Sequence, residues 1–122
     1  MGDPTDTDEA PLRVPLNALA DPAFREELEA LSTAWFGTMH RLTVCFVLRH
    51  SDGVLQRSDL IERVGLTAGA VSREARFLTR QGVITSHQPE RIVFHERIAH
   101  PYWSLFDRLV EDGTSWLAAK QP

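Results

Sequence analysis

The chain has 122 residues, of which 43% are hydrophobic and 25% charged, a formal net charge of -4 and a single cysteine. This composition belongs to an ordinary globule and excludes collagen-like, low-complexity and disordered chains; the length suits one domain with short arms. Cys45, set in the apolar run from Leu42 to Leu48, leaves no partner for an intrachain disulfide, which excludes a secreted disulfide scaffold and marks Cys45 as a small buried apolar residue.

Residues 1–20 hold Gly2, Pro4, Pro11 and Pro15 among Asp3, Asp6, Asp8 and Glu9, with no apolar period. They read as an acidic arm, disordered or loosely docked, leaving 21–122 as the folded domain. No run approaches the roughly 18 to 20 apolar residues that span a bilayer, and the N-terminus opens on acids rather than a basic leader, so the cytoplasm is the expected location and no membrane partner is expected. Asp21-Pro22 predicts a helix start, after which Phe24, Leu28, Leu31 and Trp35 form one apolar stripe up to a break at Gly37. A second helix is predicted over Thr38–His50, apolar almost all round, and Ser51-Asp52-Gly53 stops it.

Val54-Leu55-Gln56 reads as a brief strand. Ser58 is the predicted cap of a short helix from Asp59 to Val64, and Thr67 that of another over about Ala68–Gln81, with Gly82 as its stop. Val83–Ser86 and Ile92–Glu96 alternate as strands of a hairpin turning through Pro89. A last helix is predicted from Pro101, carrying Trp103, Phe106, Leu109 and Val110 and running on through Trp116 and Leu117 despite Gly113. The fold class is therefore mainly α with a small β-hairpin (α+β).

Two short capped helices separated by Gly65-Leu66, followed by a glycine stop and a hairpin, follow the grammar of a helix-turn-helix. On the second of them Val71, Ala75 and Leu78 make an inward stripe, which sets Ala68, Gly69, Ser72, Arg73, Arg76 and Arg80 on or beside the opposite face. Small residues at the start of such a helix let it approach closely, and arginines along its flank suit phosphates and guanine. Between residues 57 and 97 there are seven arginines against five acids, a local balance of +2 hidden by the acidic arm. Glu74 and Glu90 interrupt that basic surface.

The residues Leu66, Thr67, Val71, Ser72, Arg73, Leu78, Gly82, Val83 and Ile84 stand at the spacing Leu-Thr/Ser-x-x-x-Val-Ser-Arg-x-x-x-x-Leu-x-x-x-Gly-Leu/Val-Ile/Val. The segment so resembles the winged helix-turn-helix regulators of bacteria, in particular the arsenic-repressor-like (ArsR) and multiple-antibiotic-resistance-like (MarR) families, over about residues 40–97. The resemblance implies a transcription regulator on double-stranded DNA, a repressor, with a recognition helix at about 68–81 in the major groove. It makes the hairpin, about 83–97, a wing whose Arg91 lies on the backbone or in the minor groove. The expected DNA-binding residues are Ser58, Thr67, Ala68, Gly69, Ser72, Arg73, Arg76, Arg80 and Arg91.

Because one such module binds weakly, two copies are the usual remedy, and the families' arrangement implies a homodimer. The flanking helices carry more large apolar residues than so small a domain can bury, which makes Phe24, Leu28, Leu31, Trp35, Trp103, Phe106, Leu109, Val110 and Trp116 the expected dimer interface. His95, His100 and Asp107 lie at the wing-to-helix junction where some arsenic-repressor-like members bind metal, but their spacing makes no strong site, and no metal or cofactor is expected. A small-molecule effector in a dimer crevice is compatible with the sequence, which identifies none. No paired carboxylates, nucleophile elbow or Gly-rich phosphate loop points to an enzyme. The alternative from a different class is a winged-helix module that binds another protein and no DNA.

Overall fold

The computed structural model describes residues 11–120. Of the arm expected over 1–20, residues 1–10 lie outside the described part, and residues 11–20 are packed rather than loose. Leu12, Val14, Ala18 and Leu19 are buried in the main core. A 3-10 turn over Leu16–Ala20 follows Pro15, His50 Nε2 lies 2.9 Å from the Val14 carbonyl, and the Arg13 amide donates to Glu111 at 2.8 Å. Prolines without periodicity concealed this, because the segment is held by contacts to residues far along the chain and by little local structure.

Helix α1 spans Pro22–Phe36, opened by the Asp21 carboxylate accepting from the Ala23 amide at 2.9 Å and closed by Gly37 in the left-handed region at φ 74°. Helix α2 spans Arg41–His50, three residues later than the predicted start at Thr38. The cause is Ser32, whose buried hydroxyl donates to the Thr38 carbonyl at 2.6 Å and accepts from the Leu42 amide at 3.2 Å, so the linker is tied back to α1 as a non-helical turn. From Leu42 to Arg49 every residue of α2 is buried, as befits the central helix.

Strand β1 (Val54–Gln56) leads directly into α3, Arg57–Val64, and α4 covers Ala68–Arg80. Ser58 does not cap α3: the helix begins a residue before it, with Gln56 in the capping position and no side-chain bond there. Gly65, at φ 68°, makes the turn between α3 and α4, which an L-residue would resist. Strands β2 (Ile84–His87) and β3 (Phe94–Arg97) form the hairpin, and β1 pairs antiparallel with β3, giving a three-stranded sheet of order β1-β3-β2 in which Leu55 and Ser86 both face His95.

Helix α5 runs from Pro101 to Gly113 and ends there, instead of continuing through Trp116 and Leu117 as expected. Leu31 lies over Gly113 so closely that a Cβ would fall 2.9 Å from its Cδ2, and Glu27 accepts from both the amide and the hydroxyl of Ser115 at 3.2 and 2.8 Å. The short helix α6, Trp116–Lys120, then turns Trp116 onto the Phe24 ring with centroids 5.8 Å apart. Among the described residues no helix is long and apolar enough to cross a membrane.

The apolar surplus expected at a dimer interface is smaller than the sequence implied. Phe24, Leu28, Trp103, Phe106 and Val110 are buried in the chain's own core and present no face to a partner. The docked segment 11–20 supplies part of the cover that the sequence reading left out, and so the domain buries more than its compact length suggested. Leu31, Leu109 and Trp116 are half-buried, while Trp35 and Leu105 are 67% and 66% exposed.

Candidate nucleic-acid interface

Helix α4 is fixed by its apolar stripe and its cap. Val71, Ala75 and Leu78 are buried beneath it, and Thr67 Oγ1 accepts from the Ala70 amide at 3.1 Å. The stripe turns the other side to solvent: Thr67, Ala68, Gly69, Arg73, Arg76 and Arg80 are exposed and Ser72 is half-buried. A Cβ on Gly69 would meet nothing within 4 Å, so this end of the helix is open to a close approach. Ser58, in the first turn of α3, is also exposed.

Glu74 does not interrupt this face. It is 3% exposed and turned inward, where Arg41 Nε donates to it at 2.8 Å and the Thr38 hydroxyl at 3.3 Å. Arg41 also lies over the Phe77 ring, 3.6 Å from its centroid. The acid of α4 is thus compensated inside the domain, and the outward charge of the helix is carried by arginines alone. The sequence placed Glu74 beside Arg73 but held no sign of Arg41, which lies 33 residues earlier.

At the tip of the β2–β3 hairpin, Glu90 and Arg91 occupy consecutive left-handed conformations, φ 50° and 70°, which cost L-residues about 1–2 kcal/mol each. Both are exposed, so the tip presents one charge of each sign. Beneath it the hairpin is tied to α3 by His95, which is fully buried, and to α4 by Ser86, 3.1 Å from the Thr79 hydroxyl. His95 Nε2 accepts from Arg57 Nε at 3.1 Å and Nδ1 lies 2.8 Å from the Ser86 hydroxyl. Burial, with the Arg57 guanidinium alongside, pushes the His95 pKa down to about 4, so the ring is neutral.

The three residues of the wing-to-helix junction are each engaged separately. His95 sits in the sheet, His100 Nδ1 accepts from the Tyr102 amide at the start of α5 at 3.0 Å, and Asp107 accepts two bonds from Arg49, both at 2.8 Å. Among the described residues no cluster of three His, Cys, Asp or Glu side chains could hold a metal ion.

On the other side of the domain, α1 and α5 border an apolar cavity of about 590 Å³ lined by Leu31, Trp35, Phe36, Leu105 and Leu109, with Arg108 and Asp112 among its walls. Of the expected interface residues this brings together Leu31, Trp35, Leu109 and the buried Phe106, and it adds Leu105. Leu105 was within reach of the sequence reading, since it stands four residues before Leu109 on the same helical stripe.

No family model matches the chain, and no curated protein sequence does. Solved structures do resemble it. YusO from Bacillus subtilis superposes with a TM-score of 0.52 at 20% identity, over 85% of this chain and 70% of that one. AbsC, a MarR family transcriptional regulator from Streptomyces coelicolor, superposes with a TM-score of 0.52 at 17% identity, over 88% and 75%. AntR, an antimony-specific transcriptional repressor, gives 0.53 at 21% identity over 99% of this chain and 98% of its own. Mostly helical with a small three-stranded antiparallel sheet, the chain has the winged helix-turn-helix fold of the MarR-like regulators.

Proposed function

We propose that the chain is a sequence-specific transcription regulator of double-stranded DNA, a homodimeric repressor that sets α4 in the major groove and its wing on the backbone or in the minor groove. The observation that carries this reading is the outer face of α4: small residues at its start, Arg73, Arg76 and Arg80 along it, and its acid withdrawn onto Arg41. Ala68 and Gly69 admit the base edges, Arg73 is placed for a bidentate bond to guanine, and Thr67, Ser72, Arg76 and Arg80 serve phosphates. Ser58 and Arg91 reach the backbone on either side of the groove. Two of the structural neighbours are a transcriptional regulator and a transcriptional repressor, which supports the same reading. The antimony specificity of AntR does not extend to this chain, because soft metalloid chemistry needs accessible thiolates, whereas Cys45 is fully buried and its thiol is pushed up to about 12.

The dimer forms through the α1–α5 side. Trp35 and Leu105 are large, apolar and exposed beside Leu31 and Leu109, and Arg108 with Asp112 supplies both signs of charge for an isologous pairing. The cavity there has the volume of a small-molecule site, so it is also where an effector would lie.

The test is fluorescence anisotropy with a duplex flanking the chain's own gene and a scrambled duplex, over a salt series, beside an Arg73→Ala/Arg76→Ala variant. The reading predicts selective binding that weakens with salt, and a loss of about 1–3 kcal/mol on removal of the base-reading arginine. Absence of binding at low salt refutes it and turns attention to a protein partner.

A further inference from the structure

The polar groups under the wing admit a single arrangement of protons. A guanidinium does not deprotonate in a protein, so Arg57 Nε must donate and His95 Nε2 must accept across their 3.1 Å contact. The proton of the neutral ring is then on Nδ1, which donates to Ser86 Oγ at 2.8 Å. Thr79 has its own hydroxyl proton committed to the Ala75 carbonyl at 2.7 Å, so across the 3.1 Å contact between Thr79 and Ser86 it is Ser86 that donates. Four hydrogen bonds therefore run in one direction: Arg57 to His95, His95 to Ser86, Ser86 to Thr79, Thr79 to Ala75. They begin on α3, cross β3 and β2 of the wing, and end on the backbone of α4 at Ala75, next to Arg76. Arg57 is anchored to the hairpin a second time through its amide, which donates to the carbonyl of Val93, just before β3, at 2.8 Å.

We propose that this chain of hydrogen bonds is a positioning device that holds the wing at one angle to the recognition helix, with His95 as its central positioning residue. The hairpin is held on its β3 side by the β1 ladder and the Arg57 amide, but its β2 side and tip have few other restraints, since Thr85 to Ile92 are all exposed. Buried side chains fix only its base, through Val83, Ile84 and His95. With the chain intact, wing and helix meet a duplex as one rigid reader, so a site must satisfy both at once; that consequence for DNA rests on the function proposed above. His95 suits this place because one small ring accepts on one side and donates on the other, which a fixed tautomer allows and a protonated ring, a donor at both nitrogens, would not.

Two full-length variants separate the possibilities: Ser86→Ala removes the middle link at an exposed position, and Ser86→Thr restores a hydroxyl. Without DNA, long-range proton–nitrogen correlation of the His95 ring should place the proton on Nδ1; a ring protonated on Nε2 overturns the arrangement. Backbone relaxation should show β2 and β3 as ordered as α4, with order parameters of about 0.85, a clear fall for the wing in Ser86→Ala and recovery in Ser86→Thr. A wing equally ordered in all three proteins overturns the proposal whether or not the chain binds DNA. On a duplex selected by the wild type from a random pool, Ser86→Ala should bind about tenfold more weakly, the order of one lost hydrogen bond, while binding to a scrambled duplex changes less than about twofold. An equal loss on both duplexes, or the same loss in Ser86→Thr, also refutes it. If the wild type selects no duplex, the functional reading fails and the relaxation result alone decides the positioning role.

Discussion

His95 makes the stability of the fold depend on pH in a way that can be worked out from its surroundings. Its folded pKa is about 4 against an ordinary 6.5, because the buried ring faces the Arg57 guanidinium. Between those two values the unfolded chain binds a proton at this site and the folded chain does not, so the stability is full above about pH 6.5 and falls as the pH drops toward 4. Over the whole window the shift corresponds to about 3 kcal/mol, and to about 2 kcal/mol between about pH 7.5 and pH 5. His50, half-buried and also shifted downward by desolvation, adds a contribution of the same sign. The control is His95→Gln, whose amide can accept from Arg57 and donate to Ser86 without titrating. Urea unfolding at fixed protein concentration should show the wild type losing about 2 kcal/mol more than His95→Gln between the two pH values. Parallel pH profiles for the two proteins would show that His95 is not held neutral in the fold, and would refute the reasoning.

Two further outcomes follow from the inward charge pair and the exposed apolar face. Glu74→Gln leaves the Arg41 guanidinium without its carboxylate and should lower stability in denaturant titrations by about 2 kcal/mol, less than the roughly 3–5 kcal/mol for a fully broken buried pair because the amide still accepts one bond. The same variant should not tighten DNA binding, as it would if Glu74 faced the duplex. Trp35→Glu/Leu105→Glu changes two exposed side chains and should convert a dimer to a monomer in analytical ultracentrifugation, with the denaturation midpoint moving little; a variant still dimeric would place the interface elsewhere. Deleting α5 cannot serve this purpose, because Trp103, Phe106 and Val110 belong to the core and their loss would unfold the domain.

Much of the architecture was legible because it depends on signals within a few residues of one another. Asp21-Pro22, Thr67 and Gly65 mark helix boundaries through their own caps and dihedral angles, and the stripe Val71, Ala75, Leu78 orients α4 wherever the rest of the chain lies. The same stripe identified the outward residues Arg73, Arg76 and Arg80. The misplacements share a different cause. The late start of α2 depends on Ser32, the end of α5 on Leu31 and Glu27, and the inward turn of Glu74 on Arg41, each a partner from another element.

What the sequence by itself determined was therefore the order and type of the main elements and the outer face of α4, since backbone propensity, capping and periodicity are local quantities. Tertiary structure alone decided which apolar residues of the flanking helices were spent on the core and which stayed outside, that residues 11–20 are docked, and that Arg57, His95, Ser86 and Thr79 share one line of hydrogen bonds. Those depend on side chains brought within about 3 Å by packing, and no spacing along the chain records a distance of that kind.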